Sequence, residues 1–289
     1  MSTARMSLLL LLVTLATSVH AETVDCTPIT SAPHTITTQG IYCLTGKLAT
    51  SQTTGHAIEI DANNVTPDLN GWKVGGQAAG TATSVYGIFS TANKITIKNG
   101  IVRGFEYGIF LSGRGAAVEG ITADQNSDTG IMVYGDGARV RDNQIVDTGG
   151  STASTDVNAL GIYIKGAGSV IHGNQISGLT ATGSGVEYGI YLYYSAAQST
   201  AQGNIISDTV TPSASSVGIY INGAYEVSVS NNIVTNFSYG VDYADGASGI
   251  YARNMAGNCT YTPTRPRLRL FLSSLAPATI DREAGHETQ

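Results

Sequence analysis

A short phrase, Tyr188-Gly189-Ile190-Tyr191-Leu192-Tyr193, constrains this chain more than any other feature, because near-copies of it return along most of the length. They stand at Tyr86-Gly87-Ile88-Phe89, Tyr107-Gly108-Ile109-Phe110-Leu111, Thr129-Gly130-Ile131-Met132-Val133, Leu160-Gly161-Ile162-Tyr163-Ile164, Val217-Gly218-Ile219-Tyr220-Ile221 and Tyr239-Gly240-Val241-Asp242-Tyr243. The glycine step is 21 residues from Gly87 to Gly108 and 22 from Gly108 to Gly130 and from Gly218 to Gly240; between Gly130 and Gly218 the steps lengthen to 31, 28 and 29. Such a period marks a solenoid, in which each unit buries its apolar side only by stacking on the next.

Within each unit apolar and polar residues alternate with period two, as strands do. Ala57-Ile58-Glu59-Ile60, Lys94-Ile95-Thr96-Ile97-Lys98, Val170-Ile171-His172 and Val227-Ser228-Val229-Ser230 all carry that alternation. Three short strands per turn predict an all-β chain, a single-stranded right-handed parallel β-helix of about eight rungs with three parallel sheets around an apolar core. Residues 22–54 read as an N-terminal cap, 55–259 as the β-helix, and 260–289, where the phrase is lost, as a C-terminal cap or loose tail. Asn143, Asn174, Asn204 and Asn232 fall at equivalent turns, so their amides are expected to hydrogen-bond up the stack while tolerating left-handed backbone.

The charged fraction is 12% and the net charge −6, which points away from nucleic acid. Residues 1–21 read as a secretory signal: Arg5, an apolar run from Leu8 to Ala16, then Val19-His20-Ala21 as a small-x-small cleavage site. That run is too short to span a bilayer, and the expected location is secreted or periplasmic. A bridge between Cys26 and Cys43 would suit that compartment and close a loop at the exposed first end of the solenoid; Cys259 is the odd one out, read as a free or partly buried thiol ahead of intermolecular pairing or chemistry.

The glycine-isoleucine rungs and asparagine turns resemble the right-handed parallel β-helix repeat proteins of the broad pectate-lyase-like superfamily. The stretch from Cys26 through Tyr42-Cys43-Leu44-Thr45-Gly46 to Asp68-Leu69-Asn70-Gly71 is similar to the front end of secreted bacterial β-helix proteins of unassigned activity. The resemblance implies a polysaccharide partner, and for an enzyme a polysaccharide lyase, glycoside hydrolase or uronate epimerase. Of the polygalacturonase-like signatures only His172-Gly173 is present, without paired aspartates or an Arg-x-Lys.

If each isoleucine points inward, the next residue points outward. That predicts an outer column of Phe89, Phe110, Met132, Tyr163, Tyr191, Tyr220 and Asp242, and beside it Ser112, Tyr134, Lys165, Tyr193, Asn222 and Ala244. Tyr134, Tyr163, Tyr191, Tyr193, Tyr220 and Asn222 are the candidate sugar-contacting residues, since aromatic faces stack on sugar rings. The competing reading is a non-catalytic scaffold whose tyrosines only pack on each other.

Inserts at 148–159, 178–187 and 208–216 precede the tyrosine strands and are expected to wall the strip. Acids placed near that cleft are Asp128, Asp156, Glu187 and Asp242. Asp156 and Glu187 are the candidate catalytic carboxylates, with Lys165 as the nearest cation. His172 falls in another outward column with Asp68, Lys98, Glu119, Arg141, Gln202, Ser230 and Arg253, a solvated ladder of weak ion pairs. No spacing calls for a metal or another cofactor.

Overall fold

The computed structural model describes Thr23, residues 25–208 and residues 215–261. The signal-like start, the tail beyond Tyr261 and the middle of the third insert lie outside them. Among the described residues the regular structure is strand apart from one 3-10 turn at Gln77–Ala79. Among those residues no helix is long and apolar enough to cross a membrane.

Nine of the described strands, from His34–Ile36 to Tyr239–Ala244, stack in parallel as one sheet, and the other seventeen described strands form a second. The second and third strands of each rung therefore share a single folded sheet, where the sequence predicts two. In Thr96–Arg103 and Ala117–Asp124 they are one continuous strand; in later rungs they separate, as at Arg139–Arg141 and Gln144–Val146. The fold line is one left-handed residue per rung: Asn99, Gly120, Asp142, Gly173, Gly203, Asn231 and Arg253, all with φ between 55° and 66°. Backbone hydrogen bonds from Asp142 N to His172 O and from Gly173 N to Gln202 O carry the ladder through the bend.

The leading segment is itself a rung. His34–Ile36 pairs with Thr54–Ile60, and Gly40–Leu44 pairs with Val65–Asp68. Thr27–Ile29 covers the far edge of Gly40–Leu44, and the Cys26–Cys43 disulfide fastens that covering strand. An end strand that is paired and tied down is protected against pairing with another chain.

The core is built of like-on-like columns. Ile88, Ile109, Ile131, Ile162, Ile190, Ile219 and Val241 lie opposite one another on successive strands, each at most 1% exposed. Val102, Ala123, Ile145, Ile176, Ile206 and Val234 form the facing column. Fully burying one such branched side chain contributes roughly 1.5–3 kcal/mol.

The repeating glycine is a packing requirement. A Cβ on Gly130 would stand 2.8 Å from Ile145 Cγ2, and one on Gly161 equally close to Ile176 Cγ2. Glycine and the following isoleucine thus both face the core, and strict alternation breaks at that point.

The asparagine column is present and runs one rung further than expected. Asn143 Nδ2 donates to Asn174 Oδ1, Asn174 to Asn204, Asn204 to Asn232 and Asn232 to Asn254, at 2.8–2.9 Å. Each amide also donates to a carbonyl, such as Val140 O from Asn174. The left-handed residue is the one before each asparagine, which frees the asparagine side chain to point inward into the stack.

The ion-pair column is also formed, with Lys98–Asp68 at 3.1 Å and Arg141–Glu119 at 2.9 Å, but it is not solvated throughout as expected, because Asp68 is buried. Its last member is Ala252, opposite Ser230, and not Arg253; Arg253 occupies the left-handed turn instead.

Candidate functional site

The outer face of the nine-stranded sheet carries the aromatic residues. Phe89, Phe110, Met132, Tyr163, Tyr191, Tyr220 and Asp242 are in register on neighbouring strands. Phe89 stacks on Phe110 with centroids 5.4 Å apart, and Tyr191 lies 5.0 Å from both Tyr163 and Tyr220. Met132 is buried and interrupts the rings, but Tyr134 bypasses it, 5.1 Å from Phe110 and 5.9 Å from Tyr163.

The neighbouring column positions polar groups against these rings. Lys165 Nζ lies 4.6 Å from the Tyr134 centroid and 5.0 Å from that of Tyr193, so two cation–π contacts hold the ammonium. Asn222 Nδ2 donates to Tyr191 Oη at 2.9 Å, while the buried Asn222 Oδ1 has no protein partner.

A third aromatic column escapes a strict alternation reading. Tyr86 stacks on Tyr107 at 4.8 Å, and Tyr188 lies 4.9 Å from Tyr191 and 5.2 Å from Tyr220. These tyrosines precede the glycine, two positions before the inward isoleucine, where alternation would turn them inward. The glycine break turns them outward, so the tyrosine-glycine pair is the signal that could have found them. Burial, with neighbouring phenols adding, raises the hydroxyls of Tyr163 and Tyr220, the latter to about 12. They remain protonated at neutral pH and can both donate and accept.

Two carboxyls flank this face on adjacent rungs. Asp128 N donates to Glu106 O at 3.0 Å, which places the residues at equivalent turn positions. Burial raises both acids above the usual carboxylate range, and the Asp128 charge raises Glu106 further. Thr129 Oγ1 donates to Asp128 Oδ1 at 2.6 Å and moderates the rise there. Their charges reach the phenols of Tyr86 and Tyr107, and Asp128 also that of Tyr134. Asp128 was legible in the sequence as an acid near the cleft; Glu106, before Tyr107, carries no motif of its own.

Of the predicted catalytic trio, Lys165 lies in the ring strip as expected. Asp156 is exposed on the first insert, and its Oδ1 accepts from Ser184 N at 2.7 Å and Ser184 Oγ at 2.9 Å, which holds it below the usual carboxylate range. Glu187 is buried and accepts from Ala181 N at 3.4 Å. Lys165 is occupied by its two rings. The Asp156–Ser184 contacts, together with Asn158 Oδ1 accepting from Val186 N at 2.8 Å, stack the first two inserts on each other as expected.

The first insert also reaches back to the loop after Gln77–Ala79, through Thr152 N to Thr81 O at 3.2 Å. Between them lies a groove of about 510 Å³ lined by Gln77, Thr81, Gln125, Ser127, Asp147 and Thr180. Among the described residues no group of three or more His, Cys, Asp or Glu side chains converges as a metal would need.

No curated protein matches the sequence. Solved structures of similar shape include the Dettilon tailspike protein gp208, at 16% identity and TM-score 0.48, covering 81% of this chain and 51% of that one. The mannuronan C-5 epimerase AlgE4 A-module of Azotobacter vinelandii is 13% identical with TM-score 0.44, covering 82% and 86%. A tailspike double mutant of the E. coli bacteriophage HK620 is 14% identical with TM-score 0.42, covering 78% and 58%. This chain spans about half the length of the Dettilon tailspike, and likenesses this distant carry no argument about activity. The family model described as "Right handed beta helix region" matches residues 86–260, and with rungs, glycine column and asparagine ladder in place the chain belongs to the right-handed β-helix family.

Proposed function

We propose that this protein binds an extended polysaccharide along the outer face of the nine-stranded sheet, outside the cytoplasm. The observation that carries the reading is the line of half-buried rings running from Phe89 through Tyr134 to Tyr220. Flat amphipathic rings stack on the C–H faces of sugars, and protonated phenols and amides meet the hydroxyls. A rung repeat of about 4.8 Å presents such contacts at regular intervals along one direction, which suits a linear polymer. Export fits the Cys26–Cys43 bridge, since disulfides persist in oxidising compartments, and fits residues 1–21 as a signal segment ahead of the solenoid.

The test is retention of the protein in gels containing soluble polysaccharides. Tyr163→Ala and Tyr191→Ala should lose the retention while keeping the wild-type circular dichroism. Unchanged mobility in every gel, or retention indifferent to both substitutions, would leave a scaffold whose tyrosines only stack.

A second, catalytic reading is favoured by the Glu106–Asp128 pair. Two carboxyls with raised proton affinity beside a sugar platform suit general acid and base roles. New reducing ends or unsaturated products from a retained polymer, lost in Glu106→Gln or Asp128→Asn, would support it; intact polymer after prolonged incubation would rule it out.

A further inference from the structure

The groove between the first insert and the loop after Gln77–Ala79 is built apart from the aromatic face, and none of that face's rings lines it. Its floor is a stack of equivalent turns at Gly104, Gln125, Asp147 and Gly178, each with φ between 50° and 81°. Backbone hydrogen bonds from Gly104 N to Asp124 O and from Gln125 N to Val146 O tie these turns together. Glycine at both ends leaves the stack bare there, so its side chains rise only at Gln125 and Asp147. The walls come from distant parts of the chain and are clasped to each other: Thr152 N donates to Thr81 O at 3.2 Å, and the Thr81 and Thr152 hydroxyls lie 3.0 Å apart. A Cβ on Gly80 or on Gly150, one in each wall, would meet nothing within 4 Å.

The lining offers hydrogen bonds and little else. Gln77 and Gln125 bring amides, Thr81, Ser127 and Thr180 bring hydroxyls, Asp147 brings a carboxylate, and the rest is glycine. An apolar ligand finds nothing to pack on here. Amides and hydroxyls both donate and accept, as the hydroxyls of a sugar do. Ser127 is 3% exposed and its Oγ has no protein partner, and Thr148, beside Gly149 in the wall, is fully buried with its hydroxyl also unmatched. A buried hydroxyl costs stability until something hydrogen-bonds it. The volume of about 510 Å³ falls within the roughly 300–1,000 Å³ of small-ligand sites.

We propose that this groove is a second carbohydrate site, which holds a sugar unit by hydrogen bonds to its hydroxyls where the aromatic face works by stacking. The unit is a free saccharide or a branch of a polymer lying on the rings. Ser127 in the lining is followed directly by Asp128, so the groove adjoins the Glu106–Asp128 corner. On the other side of that corner Tyr86 and Tyr107 extend the rings sideways from Phe110. The site itself does not depend on the aromatic face binding a polymer.

The full chain should be titrated with methyl glycosides of glucose, galactose and mannose and with their disaccharides, and followed by backbone amide NMR shifts. At least one probe should move the amides of Gln125, Ser127, Gly149, Gly150 and Thr180. The double variant Gln77→Leu, Thr180→Leu alters two exposed side chains and removes hydrogen bonds from the lining, so it should weaken that binding at least about tenfold. The shift map is read on the native chain, so a variant that fails to fold does not remove the test. No shifts with any probe, shifts confined to the strands that carry Tyr163, Tyr191 and Tyr220, or affinity unchanged in a folded double variant would each overturn the site. Gel retention that rises with the branching of a galactomannan supports the site with a branch as its ligand; equal retention, with the saccharide shifts present, supports it with a free saccharide. Loss of all polymer retention while the saccharide shifts remain would remove the aromatic platform and leave this site standing.

Discussion

Gly161 lies flat against Ile176: a Cβ on the glycine would stand 2.8 Å from Ile176 Cγ2 and 2.6 Å from the carbonyl oxygen of Gly189 on the next rung. Gly161→Ala therefore drives a methyl into both a core side chain and a backbone that is held by the sheet. The expected loss is about 1–3 kcal/mol in chemical denaturation, the usual cost of overpacking. Adding Ile176→Val should recover only part of it, since the carbonyl clash remains; a neutral Gly161→Ala would contradict the account of the glycine period.

Asn174 joins two rungs of the buried ladder. Asn174→Ala strands Asn143, whose backbone N and Nδ2 donate to Asn174 Oδ1 at 3.1 and 2.9 Å, and leaves Val140 O without its amide donor. Each buried group left unpaired costs about 1–3 kcal/mol. Hydrogen exchange at Asn143 and its neighbours should accelerate before exchange elsewhere in the solenoid, because each rung touches only the rungs beside it.

Glu106 and Asp128 bind protons more tightly in the folded chain than ordinary carboxyls do. The folded state then holds more protons than the unfolded one between the unfolded and folded pKa values, so stability falls as pH rises through that window and stays lower above it. Glu106→Gln should raise the melting temperature at neutral pH, with the gain fading as pH drops below the ordinary carboxylate range. A gain that is the same at every pH would mean that burial of the charge is not what Glu106 contributes.

Reduction of Cys26–Cys43 should loosen the first end of the solenoid. In the chain-entropy model a loop of this size contributes about 3 kcal/mol. Cys43→Ser should show that loss, together with protease sensitivity confined to the segment before residue 54.

Asp68 is 1% exposed. Its burial alone would raise the carboxyl, yet hydrogen bonds from Thr23, the Asn70 backbone and Lys98 outweigh that and hold it below the usual range. Its stabilisation is present above the ordinary carboxylate pKa and is lost as pH falls through its lowered value. Lys98→Met should leave this buried charge short of a partner, destabilise the native protein at neutral pH, and cost progressively less in acid.

The columns were legible in the sequence because a parallel solenoid converts sequence period directly into spatial register. Residues one repeat apart become neighbours, whether the step is 22 residues or 31, so the spacing of Gly108, Gly130 and Gly161 sufficed to place Phe110, Met132 and Tyr163 side by side. The linear pattern also identified Asn143, Asn174, Asn204 and Asn232 as one stack. What it misplaced was local backbone detail: the left-handed residue precedes each asparagine, and the two outer strands share one folded sheet, because a single φ near 60° bends the chain without breaking its hydrogen bonds.

By itself, then, the sequence determined the architecture, its period and which residues stack, since each follows from repetition and alternation alone. Only the tertiary structure decided which way Tyr86, Tyr107 and Tyr188 face, that Glu106 shares a corner with Asp128, that Asp156 is held by Ser184 and that Lys165 is held between two rings. Those outcomes depend on side-chain volume at the glycine break and on how far each acid is withdrawn from water, quantities set by neighbours one rung away that no window of consecutive residues contains.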